Sequence, residues 1–151
     1  MQIRHVIRLS DSIADILLAI EPGFRGLYQG GRREMNLDRV VMHVSSTADR
    51  DVVGPGTRLR FMQKGSRVLG RYNGGAVSRG CLVGTLSGSQ LVFRYVQVEA
   101  SGEIHGGHSV CEVERRPDRR IRIVEHFAWR TRPGSGTNVF EEIDTLRDET
   151  Q

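Results

Sequence analysis

Apolar positions follow two rhythms along this chain. Ile13, Ile16, Leu17 and Ile20 recur at helical spacing behind Ser10, whose hydroxyl suits an N-cap. Glu21-Pro22-Gly23 then stops that helix. From Phe24 onward the rhythm is alternation, broken by Gly, Asn and Ser. It predicts strands near 24–30, 39–46, 57–63, 66–73, 76–86, 90–99, 108–115, 120–131 and 137–143. The connectors are tight, and Asn73-Gly74 reads as the central pair of a type I′ turn, where both residues need positive φ.

Consecutive hairpins with no helical crossover mean an antiparallel meander. Left open, so many short strands would expose two edges. Closure removes them, and about eight strands leave room for one small ligand. The expected fold is therefore all-β: one up-and-down antiparallel barrel of about 8–10 strands with a short N-terminal helix, and a β-sandwich is the alternative. The expected organisation is a helical extension at 1–23, a barrel at 24–145 and a tail at 146–151.

Alternation also sorts side chains into faces. Leu91, Phe93, Tyr95 and Gln97 share one face opposite Arg94; Ile121, Ile123, Glu125, Phe127 and Trp129 share one opposite Arg122, His126 and Arg130. Ser109, Cys111 and Val113 oppose His108, Glu112 and Glu114, and Val68, Gly70 and Tyr72 oppose Arg67, Leu69 and Arg71. The Arg-poor face is the natural interior. It carries polar groups that stability alone would avoid, Glu125 above all, because a buried charge costs several kcal/mol unless it is paired.

Composition narrows the classes. With 151 residues, 38% hydrophobic and 26% charged, the chain suits one domain with a real core. No apolar run is long enough for a transmembrane helix, and Arg4, Arg8, Asp11 and Asp15 interrupt the N-terminal run, so no secretory signal is expected. Cys81 and Cys111 make no disulfide framework, so a cytoplasmic protein with reduced thiols is expected. The net charge is +4, and 21 of the 22 basic residues are Arg, Lys64 being the exception. Such one-sided usage reads as codon bias, so the charge does not by itself argue for nucleic acid.

The text "YNGGAVSRGCLVGTL", "LVFRYVQVEASGEIHGGHSVCEVE", "RIRIVEHFAWRT" and "GSGTNVFEEI" resembles a family of small bacterial proteins of uncertain function, often labelled N-acetylglutamate synthase. The resemblance runs from Phe24 to about Ile143 and implies a calycin-like barrel of the lipocalin or avidin kind. Residues 1–22 lie outside it. Arg71-Tyr-Asn-Gly74-Gly-Ala76 does match the (R/Q)-x-x-G-x-(G/A) string with which acetyltransferases cradle coenzyme A. That chemistry needs backbone N–H groups at a helix N-terminus, and here the string spans a hairpin followed by strand-like alternation.

Other clusters read more plainly. His105, His108 and His126 fall at a hairpin exit or on the outer face and suggest no metal site. Cys81 and Cys111 could face each other across the barrel, although small buried thiols are the commoner outcome. The densest basic run, Arg115, Arg116, Arg119, Arg120 and Arg122, lacks aromatic interleaving and reads as a solvated hairpin tip. The interior remains the lead. Tyr72, Tyr95, Gln97, Glu125 and Trp129 are expected to line a pocket for one small, partly apolar molecule, with no cofactor. The alternative is a cofactor-independent cyclase or isomerase using Glu125 and Tyr95 as acid and base, unless Glu125 is instead locked by an inward Arg. A nucleic-acid role is the least favoured reading, no membrane partner is expected, and the apolar stripe of the N-terminal helix is expected to cap one end of the main domain or to make a dimer contact in a homo-oligomer.

Overall fold

The computed structural model describes residues 35–48 and 52–143. They form eight antiparallel strands: β1 (Val41–Thr47), β2 (Arg58–Lys64), β3 (Arg67–Gly74), β4 (Val77–Ser87), β5 (Gln90–Glu99), β6 (Ile104–Arg115), β7 (Ile121–Trp129) and β8 (Ser135–Glu142). Each pairs with the next in sequence, and β1 pairs with β8, so the sheet closes into an up-and-down barrel. Closure gives every strand two neighbours and leaves no unpaired edge. The expected helix at 10–20 and strand at 24–30 lie outside the described residues.

Three hairpins turn on a Gly-X pair: Gly65-Ser66, Gly75-Ala76 and Gly88-Ser89. In each the glycine takes positive φ, near 60°, and the second residue does not. That is the demand of a type II′ turn, which glycine meets without steric cost. The expected centre at Asn73-Gly74 is therefore displaced by two residues, to Gly75-Ala76. A one-residue register shift between Tyr72 and Gly74 then sets Tyr72 against Gly80, while Gly74 pairs with Val77.

One stretch of the interior is solidly packed. Leu37, Met42, Phe61, Val68, Leu91, Ile121 and Ile123 are all at most 2% exposed and belong to one cluster. Leu37 is drawn onto it by its N–H donating to Gln63 Oε1. Elsewhere the interior is shaped by glycine. Gly70, Gly80, Gly84, Gly107 and Gly136 each lie directly across from a large residue, respectively Leu82, Tyr72, Phe93, Tyr95 and Phe127. A side-chain carbon at any of them would meet that neighbour within 3.0 Å. Five of the 18 glycines thus provide clearance inside strands.

Candidate functional site

The interior contains a cavity of about 40 Å³, lined mainly by apolar and aromatic side chains. Tyr72, Tyr95, Gln97, Glu125 and Trp129 all border it, together with Phe93, Phe127, Asn138 and Thr57. Alternation brought these five to one face; the cross-strand register brings them to one place.

Two registers do most of this. Tyr72 on β3, Gly80 on β4 and Gln97 on β5 lie in one row. Because Gly80 has no side chain, the Tyr72 ring lies over it and its hydroxyl donates to Gln97 Oε1 at 3.0 Å, two strands away. Tyr95 on β5, Gly107 on β6 and Trp129 on β7 repeat the device. The Tyr95 ring crosses Gly107 and meets Trp129 edge to face, with centroids 5.3 Å apart, a favoured geometry for aromatic pairs.

The polar groups form two separate systems. Gln97 Nε2 donates to Glu99 Oε2 at 2.9 Å, and both terminal nitrogens of Arg132, on the loop between β7 and β8, donate to the Glu99 carboxylate at 3.1 and 2.5 Å. The Arg132 guanidinium also lies 4.0 Å from the centroid of the Trp129 ring, a cation–π contact. This system fixes the amide of Gln97, whose oxygen faces Tyr72 and whose nitrogen faces Glu99. The second system centres on Glu125, which is 5% exposed. Ser109 Oγ donates to its Oε1 at 2.6 Å and Asn138 Nδ2 to its Oε2 at 2.8 Å, while Thr47 Oγ1 donates to Asn138 Oδ1 at 2.7 Å. Asn138 is the direct cross-strand partner of Glu125, which explains its reach.

The two carboxyl groups are driven in opposite directions. Hydrogen bonding from Arg132 holds Glu99 below the ordinary carboxylate range against its burial. Burial pushes Glu125 above that range, and the Ser109 and Asn138 hydrogen bonds only partly oppose it. The alternative in which an inward Arg locks Glu125 is corrected here, since its hydrogen-bond donors are neutral and the Arg lock belongs to Glu99. Burial also raises Tyr72, and nearby Glu125 and Tyr95 add to the shift, so Tyr72 enters the cavity as a neutral phenol in the physiological range.

His105, the second residue of β6, stands just past the β5–β6 hairpin as expected and approaches Trp129 with ring centroids 6.2 Å apart. Glu99, Glu103 and His105 have ligand atoms within 4.8 Å of one another, but Glu99 already holds Arg132 through both oxygens, so a cation is in place there. His108 accepts from Arg130 Nε at 3.1 Å, and His126 stands on the outer face. The cysteines do not face each other. Cys111 points inward and is fully buried, whereas Cys81 is on the outward parity of β4.

Reading from sequence misses Ser109 and Asn138 as partners of Glu125, and Glu99 with Arg132. Asn138 and Glu99 carried a signal, since each continues the inward alternation of its strand with Phe140 or Gln97. Arg132 carried none, being a loop residue placed by the turn after Trp129.

A closed antiparallel barrel of eight strands with an aromatic-lined lumen agrees with a family match: the family described as avidin-like protein matches residues 35–143. The chain belongs to the avidin-like family. No curated protein and no solved structure gives a significant match to it. The family match spans every strand of this avidin-like barrel, from just before β1 to the residue after β8.

Proposed function

We propose that the barrel binds one small, partly apolar molecule in its lumen, with Tyr72, Tyr95, Gln97, Glu125 and Trp129 as the contacting side chains. The observation that carries this is the set of oriented polar groups on an otherwise apolar cavity wall. Gln97 and Glu125 are each fixed by two partners, and a core built only for stability gains nothing from such groups. The fit is to a neutral molecule with an apolar ring or chain and at least one hydrogen-bonding group. An anionic ligand would meet the Glu125 carboxyl, and Arg132 is already engaged by Glu99. The cavity of about 40 Å³ is below the roughly 150 Å³ that takes up benzene. A ring-sized occupant therefore has to swing the Trp129 or Tyr95 ring aside.

One observation favours a second reading, a cofactor-independent cyclase or isomerase. A carboxyl raised by burial and bordering the cavity, with tyrosine hydroxyls beside it, is the equipment of general acid catalysis. In that reading Glu125 gives a proton to a carbonyl or ether oxygen, and Tyr95 orients the same substrate.

The test is titration with one- and two-ring ketones and lactones, read by emission of Trp129, the single tryptophan, and by ligand-observed NMR. A saturable change that disappears from the NMR of Trp129→Ala is expected. Binding that survives Trp129→Ala unchanged, or none at millimolar concentration (on the order of the weakest specific affinities), overturns the reading. Glu125→Gln separates the two functions: a binder keeps affinity with no turnover in either form, whereas an enzyme loses turnover alone.

A further inference from the structure

From Val52 to Val98 the chain contains no Asp or Glu. Strands β2, β3 and β4 lie within this stretch and carry Arg58, Arg60, Lys64, Arg67, Arg71 and Arg79. All six are on the outer wall; Arg67 is half-buried and the others are exposed. The register sets like charges side by side. Arg60 is directly across from Arg71, and Lys64 from Arg67. Such pairs destabilise a sheet, so folding gives no reason for them. Among the described residues no acidic side chain pairs with any of the six, the ion pairs lying elsewhere.

The run that dominates the sequence behaves differently. At the turn between β6 and β7, Arg116 pairs with Glu141 at 2.8 Å, Arg120 with Asp118 at 3.7 Å and Arg122 with Glu114 at 3.2 Å. Its charge is largely answered from within the barrel. Among the described residues, the charge without acidic partners is on β2–β4, where alternation spreads it too thinly along the chain to show as a cluster.

The wall is not uniformly basic. Met62, Leu69 and Val83 form one cross-strand row between the Lys64–Arg67 and Arg60–Arg71 pairs; Leu69 is buried, Val83 is half-buried and Met62 is 44% exposed. An exposed apolar side chain set among Arg residues fits the anatomy of a protein interface. Arg presents a planar fork that matches a carboxylate in two hydrogen bonds. A phosphate track would not need the apolar row, and these strands direct no aromatic ring outward for bases to stack on. A membrane surface would favour exposed Trp or Tyr, which are equally missing from this wall.

We propose that the outer wall of β2–β4 is a docking surface for an acidic protein partner, which sets carboxylates against Arg60, Arg71, Lys64 and Arg67 and an apolar side chain against Met62.

The test uses the full chain and a fluorescein-labelled acidic amphipathic peptide of about 20 residues, with Glu on one face and Leu on the other. Comparison probes are its scrambled sequence, duplex DNA of similar charge, and phosphatidylcholine vesicles containing about one-third phosphatidylglycerol. The amphipathic peptide is expected to bind best and to weaken as salt rises. Arg60→Glu with Arg71→Glu should weaken it about tenfold or more, and Met62→Ser about threefold. Arg116→Glu with Arg120→Glu, at the compensated turn, should leave it unchanged. Arg60→Ala with Arg71→Ala should raise the melting temperature by relieving repulsion, an effect that misfolding cannot imitate. Tighter binding to DNA or to vesicles than to the peptide overturns the proposal, as does peptide binding indifferent to the wall variants.

Discussion

The Tyr72 hydroxyl reaches Gln97 across an intervening strand because the residue between them, Gly80, has no side chain. The three atoms nearest to a Cβ placed at Gly80 all belong to the Tyr72 ring. Gly80→Ala is therefore expected to cost about 1–3 kcal/mol by overpacking and to release Gln97. In a Tyr72→Ala background the same change should cost much less, a coupling of about 0.5–3 kcal/mol between the two sites. Urea unfolding of the four proteins checks it, and additive costs would mean that the ring does not rest on the glycine.

Glu125 makes stability fall as pH rises. Its folded value is raised by burial, while the unfolded carboxyl titrates near 4.3. Below that value both states hold the proton and nothing is lost. Above it the folded state binds more protons than the unfolded one, so stability drops until pH passes the folded value. Each pH unit across that window costs about 1.4 kcal/mol. Glu125→Gln keeps an acceptor for Asn138 and a donor for Ser109, and should flatten this slope in unfolding curves taken from pH 4 upward. Parallel slopes for the two proteins would contradict it.

Glu99 has the opposite sign. Arg132 lowers its folded value, so the stabilisation is full above the unfolded value and is lost as pH falls through the folded one. Arg132→Ala leaves a nearly buried carboxylate without its cation, at about 1–3 kcal/mol. It also uncovers the Trp129 ring. A lower melting temperature and a red-shifted Trp129 emission are expected, and adding Glu99→Gln should restore part of the stability.

The thiols should react unequally. Cys111 is fully buried, whereas Cys81 stands on the outer parity, half-buried beside Arg71. Burial raises both thiols. Native labelling with a thiol-specific aromatic disulfide should be slow, speed up at alkaline pH and stop at one group, the second appearing only on unfolding. Peptide mapping that finds Cys111 modified first would reverse this assignment.

The sequence by itself determined the alternation, and with it the strand count of the described barrel and the inward parity of Tyr72, Tyr95, Gln97, Glu125 and Trp129. It could do so because side-chain period in a strand is local, set by the pleat. It did not determine which inward residues share a row, because register depends on turns and bulges, and the β3–β4 turn sits two residues beyond its expected place. Only the tertiary structure put Ser109 and Asn138 onto Glu125, gave the Arg lock to Glu99, and separated the two cysteines. It alone showed which arginines are answered by acids, since charge compensation across a barrel depends on distances in space. Three of the five arginines in the densest run are answered by acids, whereas the scattered ones on β2–β4 have no such partner among the described residues.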